Sequence, residues 1–225
     1  MKTKQLCTKI FLMICFSFLA VSFSNAQVRF GVKAGFNASS LSGYEKAVTT
    51  LGENAEIGGM LPFDAFSVKY RPGFHAGIVS QIDLAPNFLL QPELLYSLLG
   101  VKEETSLLGV KQSETGSLHY IQLPVYAAYK FNVGLNLDLI LGAGPYIGCG
   151  IAGDDDAFKD TFTRFDWGLS AMGGVQYNKF QITIGYDLGL MDMFNMDGWK
   201  TAKDMLGLSS ISNRNFKVSV AYFFK

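Results

Sequence analysis

The side chains best suited to chemistry in this sequence are His75 and His119, the aspartates Asp154, Asp155, Asp156 and Asp160, and Cys149. A hydrolase or acyltransferase needs a nucleophile, a base and an acid in one constellation, and His119 has Ser117 and Glu114 near it in sequence. His75 stands among alternating strand residues, where a histidine serves as a member of a polar network. The aspartates supply the oxygen ligands that calcium prefers, but no glycine-framed ligand spacing surrounds them. A solvated loop that resists strand pairing uses the same residues. The glycines between 142 and 153 follow no phosphate-cradling motif, and Cys149 reads as a small strand-end residue. No catalytic residue, cofactor or metal is therefore expected, and the chain is not read as an enzyme. The more informative side chains are charges at alternating positions, and these depend on the elements that carry them.

The N-terminus carries Lys2, Lys4 and Lys9, then an uncharged run over 10–23, then Ser24-Asn25-Ala26. Charge, apolar stretch and small residues in that order make a secretory signal, so 1–26 is set apart and 27–225 is expected to form one domain. No later stretch approaches the roughly 18 apolar residues that a membrane helix needs. Neither Cys7 nor Cys15 follows the small residue of a lipid-anchored cysteine, and without those two Cys149 has no partner for an internal disulfide. Taking residues 1–26 and their three lysines from 225 residues with 19 basic and 19 acidic side chains leaves 199 residues, 16 basic and 19 acidic. A net charge of about −3 gives nucleic acid no electrostatic hold. All 24 glycines lie in this remainder and aromatics are frequent, which is the make-up of an all-β chain.

Eight segments alternate apolar and polar residues with a period of two: 28–38, 73–84, 88–99, 118–131, 135–149, 163–177, 180–190 and 215–224. In the first, Phe30, Val32, Ala34 and Phe36 oppose Arg29, Gly31, Lys33, Gly35 and Asn37. The second sets Phe74, Ala76, Ile78, Ile82 and Leu84 against His75, Gly77, Gln81 and Asp83. Three connections are tight, at Ala85-Pro86-Asn87, Asn132-Val133-Gly134 and Asn178-Lys179, and four are long, at 39–71, 100–117, 150–162 and 191–214. Short turns at one end and long loops at the other characterise a membrane barrel, and an even strand count returns both termini to the short-turn, periplasmic end.

The apolar face is nearly free of charge and carries aromatics toward both strand ends, such as Phe30, Phe131, Tyr177 and Phe180 at one and Phe36, Phe74, Trp167 and Phe216 at the other. Two rings flanking an aliphatic band predict a lipid-facing wall. The alternative, a soluble ligand-binding barrel, would have to pack these rings into a lumen that eight strands leave only just wide enough for side chains. The opposite face carries Arg29, Lys33, Lys130, Arg164 and Lys217 with Asp83, Glu93, Asp138, Asp166 and Asp187. Enclosed charges need partners, so these ten are predicted to form a paired network that fills the lumen and leaves no porin-like channel.

The segments Val28-Arg29-Phe30-Gly31-Val32-Lys33-Ala34-Gly35-Phe36-Asn37, Tyr120-Ile121-Gln122-Leu123-Pro124-Val125 and Gly142-Ala143-Gly144-Pro145-Tyr146-Ile147-Gly148, with the 165–189 hairpin, resemble the PorT-like outer-membrane barrel family, also called the porin family. The resemblance spans nearly all of 27–225 and rests on strand patterns, so it specifies the barrel and says little about activity. It departs at the end, where Lys225 follows the aromatic Phe224 that assembly machinery would read. The expected fold is all-β: an eight-stranded antiparallel, transmembrane up-and-down barrel of the OmpA/OmpX-like architecture, in the outer membrane of a Gram-negative cell. The expected partners are outer-membrane lipid, the barrel-assembly machinery and, as the resemblance implies, secretion-system proteins. The expected role is in envelope structure or surface contact, with a place as accessory to protein export as the alternative.

Overall fold

The computed structural model describes residues 28–43, 66–107, 110–153, 164–192, 204–205 and 210–224. The proposed signal and the 154–160 aspartates lie outside these residues. Among the described residues nine strands form one sheet: β1 (Val28–Ser42), β2 (Phe66–Lys69), β3 (Arg71–Ala85), β4 (Phe88–Leu107), β5 (Val110–Gly134), β6 (Leu137–Gly153), β7 (Phe165–Tyr177), β8 (Phe180–Gly189) and β9 (Ser212–Phe223). Their order is β2-β4-β3-β1-β9-β8-β7-β6-β5, and β4 also pairs with β5, which closes the sheet on itself. β2 is a short piece separated from β3 by Tyr70 and paired with β4 beyond the end of β3. The two make one stave, and the result is a closed, antiparallel, eight-stranded up-and-down barrel.

Period-two alternation is what builds this wall, because consecutive residues of a strand point to opposite faces. Along β9, Asn213, Asn215, Lys217, Ser219, Ala221 and Phe223 are buried, while Phe216, Val218, Val220 and Tyr222 between them are exposed. Phe30, Val32 and Phe36 of β1 and Ile182, Ile184 and Tyr186 of β8 are likewise exposed, Phe36 at 76% and Ile184 at 56%. The sequence pattern places fifteen aromatics in the two rings: Phe88, Tyr129, Tyr222 and Phe224 at the short-turn end and Tyr96, Phe165 and Tyr186 at the other join the eight named above, and all are exposed except Tyr96 and Phe165, which are half-buried. The rings also touch sideways at the short-turn end: Tyr129–Phe131 at 4.6 Å and Phe180–Tyr222 at 5.0 Å between centroids. An exterior this apolar is the reverse of a soluble barrel's. Ile82 keeps the outward parity predicted for it but is buried, as are its neighbours Ser80 on β3 and Pro92 on β4.

Three boundaries differ from those the sequence suggested. Residues 100–117 are not a loop: β4 and β5 continue as a ribbon, from Gly100↔Ser117 to Leu107↔Val110. β1 also runs on to Ser42 and β6 to Gly153. Alternation marks a strand with one wet face and one dry face, and it fades where both are wet, as the polar composition of 102–106 and 111–115 implies. The β5–β6 turn is Leu135-Asn136, not Asn132-Val133-Gly134. Gly134, at φ 99°, sits where the register shifts, so β5 extends past the expected turn, and Leu135 (φ 54°) and Asn136 (φ 61°) reverse the chain. The other tight turns, Pro86-Asn87 and Asn178-Lys179, stand where their residue types placed them.

Candidate functional site

The alternating polar residues converge on the axis of the barrel and stack in tiers. At the short-turn end Asp83 accepts from Arg29 at 3.5 Å and from Lys130 at 3.2 Å, each group about a quarter exposed or less. The Arg29 guanidinium lies 6.0 Å over the ring of Phe223, which packs with Val79 and Ala221. The tier above belongs to amides. Gln81 donates to Gln91 (2.8 Å) and Gln176 (3.0 Å), and Gln91 and Gln181 bond each other in both directions. Beside them Leu89, Tyr126, Ala128, Ile140 and Met172 form an apolar cluster.

At mid-height two ion pairs lie out of water. Lys33 meets Glu93 at 2.7 Å, with Gln91 donating to the same carboxylate oxygen at 2.9 Å. Lys217 meets Asp187 at 2.7 Å. Lys217 also donates to the Tyr126 hydroxyl (3.4 Å), which contacts Ser170 (2.8 Å), and Ser170 donates to Asp187 (2.5 Å). Charge and hydroxyls thus close a circuit around Asp187, which also accepts from Asn215 at 3.1 Å. Pairing each buried charge with an opposite one in this way is what makes its burial tolerable.

His75 shares this height. Its Nε2 lies 2.8 Å from Ser219 Oγ and its Nδ1 contacts Asn37 Oδ1. Asn37 Nδ2 donates to the carbonyls of Phe74 and Leu98, so Oδ1 is an acceptor, His75 carries its proton on Nδ1, and Nε2 accepts from Ser219. The order Ser–His–Asn resembles a nucleophile with its oriented base. All three are buried, at 4% exposure or less, and are walled by Gly35, where a Cβ would stand 2.7 Å from His75 Cε1. This is structural bonding inside a packed lumen.

Toward the long-loop end Asp166 accepts from Tyr146 (2.9 Å) and Asn213 (3.2 Å). Arg71, which the sequence left in a loop, is buried there and donates to Leu99 O (3.1 Å) and Ser117 Oγ (2.7 Å). Not every predicted charge joins the stack. Asp138 accepts from Asn132 at 2.9 Å on the exposed short-turn rim, and Arg164 has no ion pair among the described residues. His119 bonds outward to Tyr96 Oη at 2.5 Å, while Ser117 receives Arg71, so the Ser117–His119 pair suggested by sequence does not assemble. Sequence reasoning also missed the apolar lumen residues Leu89, Leu95, Leu99 and Ile140. Their strands read as near-continuous apolar runs, Phe88-Leu89-Leu90 among them, in which a single residue does not declare its face.

A closed antiparallel barrel, apolar outside and polar within, is a β-barrel of a membrane, crossed by strands. The chain belongs to the outer membrane protein beta-barrel domain family, whose model matches residues 22–195. That membership places it in the outer membrane of a Gram-negative bacterium. None of the curated proteins matches its sequence. Among solved structures it is similar to the outer membrane protein OprG from Pseudomonas aeruginosa (11% identity, 88% of this chain and 97% of that one, TM-score 0.45). It is also similar to Neisserial surface protein A (14%, 86% and 96%, 0.45). A third is Ail of Yersinia pestis, solved in complex with the heparin analogue sucrose octasulfate (14%, 88% and 99%, 0.37).

Proposed function

We propose that this protein is a non-enzymatic envelope component: a rigid barrel whose lumen is plugged by its own side chains and whose chemistry lies in the segments it displays outside the cell. The observation that carries this reading is the pair of mid-lumen ion pairs, Lys33–Glu93 and Lys217–Asp187, each side chain at most 4% exposed. Groups so enclosed bond one another and face no substrate. The long-loop end is then left to carry contacts, as binding residues accumulate on loops held by a rigid scaffold. The short-turn end holds both Val28 and Phe223, which supports a periplasmic side for the termini. Lipid on the apolar wall and the barrel-assembly machinery at insertion are the partners this requires. The test is an epitope tag placed within 44–65 and another after Lys225. On intact cells antibody should reach the first and not the second, and the converse would overturn the orientation.

A second reading has its own support in the PorT-like resemblance of 28–37, 120–125 and 142–148: an accessory of a protein-export system. A secretion accessory co-purifies with other envelope proteins, and its deletion strands cargo in the periplasm. Normal export in the deletion strain would leave the surface role standing.

A further inference from the structure

Toward the long-loop end the outward face of the wall changes character within one step of register. Up β9 it runs Tyr222, Val220, Val218 and Phe216, and then turns to Arg214 and Ser212. Beside it β1 runs Phe36 and Ala38, and then Ser40 and Ser42. Phe216 pairs with Ala38 and Arg214 with Ser40, so both strands change in the same row. Arg214 stands ten residues from Phe224, which belongs to the short-turn aromatic ring. At about 3.3 Å per residue and a strand tilt of about 40°, that is about 25 Å of height, the thickness of a barrel's apolar band. Arg214 thus sits at the level of lipid headgroups. Its Nη1 donates to the Tyr186 hydroxyl at 3.3 Å, its Nε is buried without an acceptor, and no carboxylate pairs with it among the described residues.

The row continues onto the neighbouring staves. Ser39 pairs with Arg71, which carries Ser40 to the level of Tyr70, and the next residue, Lys69, is the register partner of Lys102. Lys102 has the parity of Leu94 and Leu98 and lies on the outer face of β4. Glu103 and Glu114, partners of each other, lie on the opposite face with the buried Leu95 and Leu99. Register therefore sorts charge, basic outward and acidic toward the axis. On the outer face Glu104, opposite Ser67 and Ser113, stands against three basic residues, Arg214, Lys69 and Lys102. A guanidinium with unused donors at headgroup level suits phosphate, which it binds bidentately. We propose that this stretch of outer wall, from Arg214 past Ser40 and Tyr70 to Lys69 and Lys102, seats the phosphorylated headgroup of an outer-leaflet glycolipid, with Arg214 as its anchor. The site rests on the reading that the long-loop end faces outside the cell. From β9 through β1 and β3 to β4 is three interstrand steps, about 14 Å, so a headgroup with more than one phosphate reaches both ends and an inorganic ion does not.

The protein extracted from outer membranes into zwitterionic detergent and stripped of lipid is titrated with diphosphoryl lipid A, with the same lipid lacking its phosphates, and with inorganic phosphate, and native mass spectrometry reads what stays bound. The barrel should retain diphosphoryl lipid A at concentrations where it does not retain the dephosphorylated lipid, and inorganic phosphate should not displace it. Arg214→Gln should weaken retention by about tenfold or more, as the loss of a hydrogen bond to a charged group does. Lys69→Gln combined with Lys102→Gln should act in the same direction. Lys179→Gln, at the short-turn end where Lys179 donates to Phe224 O, should leave retention unchanged. Folding of each variant is checked by the gel shift between unheated and boiled samples. Three results overturn the site: equal retention of the dephosphorylated lipid, which means acyl-chain contact alone; displacement by inorganic phosphate, which means a free-anion site; or unaltered retention by Arg214→Gln. Detergent has no sides, so this outcome and the epitope test of orientation can each fail without the other.

Discussion

Lys33 and Glu93 are separated by 60 residues in the chain and meet at 2.7 Å with their side chains at most 4% exposed. Removing one member leaves the other charged, buried and unmatched, which costs more than the pair contributes as a pair. Glu93→Gln should therefore destabilise the barrel by about 3 to 5 kcal/mol, read from urea unfolding in detergent micelles. Asp138→Asn, at the rim where Asp138 accepts from the exposed Asn132, should move stability by no more than about 0.5 kcal/mol. Equal effects would mean that water reaches the Lys33–Glu93 pair. On the outer face the logic reverses, since Ile184 is exposed in the middle of β8, while Leu139, also exposed, stands beside Phe131 near the short-turn end. Ile184→Arg should cost about 2 to 4 kcal/mol of membrane stability and Leu139→Arg less, about 1 kcal/mol. An unaffected Ile184→Arg would show that this wall does not face lipid.

Among the elements, the turns show best where sequence patterns inform and where they mislead. Asn178-Lys179 is a tight turn by residue type and by structure, Asn178 taking φ 54° with the ease asparagine allows. Asn132-Val133-Gly134 carries the same signal yet remains strand, because Gly134 absorbs the positive φ as a register shift and passes the reversal on to Leu135. Leucine has no intrinsic reason to adopt φ 54°, and it is 94% exposed, so no packing compensates. Leu135→Gly should stabilise the barrel by about 1 kcal/mol by releasing that strain, and the thermal midpoint of the gel-shift transition measures it. A lower midpoint would mean that Leu135 is held by contacts outside the barrel wall. The eight staves themselves, and the face of nearly every residue on them, were legible because lipid on one side and enclosure on the other impose a strict period of two. The β4–β5 ribbon, β2 and the buried Arg71 were not, since beyond the dry band that period disappears. Tier partners were illegible for a different reason: which lysine meets which acid depends on register, and the sequence fixes faces but not the stagger between distant strands.

At the scale of the whole molecule, the question is whether the barrel conducts. Eight strands enclose a space that side chains can just fill, and what fills it here is specific. Reading from the short-turn end, Arg29, Asp83 and Lys130 give way to the mutually bonded Gln81, Gln91, Gln176 and Gln181, then to the Lys33–Glu93 and Lys217–Asp187 pairs with Asn37, His75 and Ser219 at the same height. Three large tyrosines, Tyr120, Tyr126 and Tyr146, are fully buried among them. An ion crossing this stack would have to separate amides bonded to each other and displace lysines from carboxylates, each step exposing a buried charge or an unmet hydrogen bond. Planar-bilayer recordings of the purified protein should accordingly show no large stable open state, under the conditions in which an open porin of known conductance is resolved. Glu93→Gln should raise the frequency of brief, small openings, since it frees Lys33 while leaving the tyrosines in place. Nanosiemens-scale steps from the unmodified protein would mean that the tiers part together as a gate, and that the lumen is a pathway and not a plug.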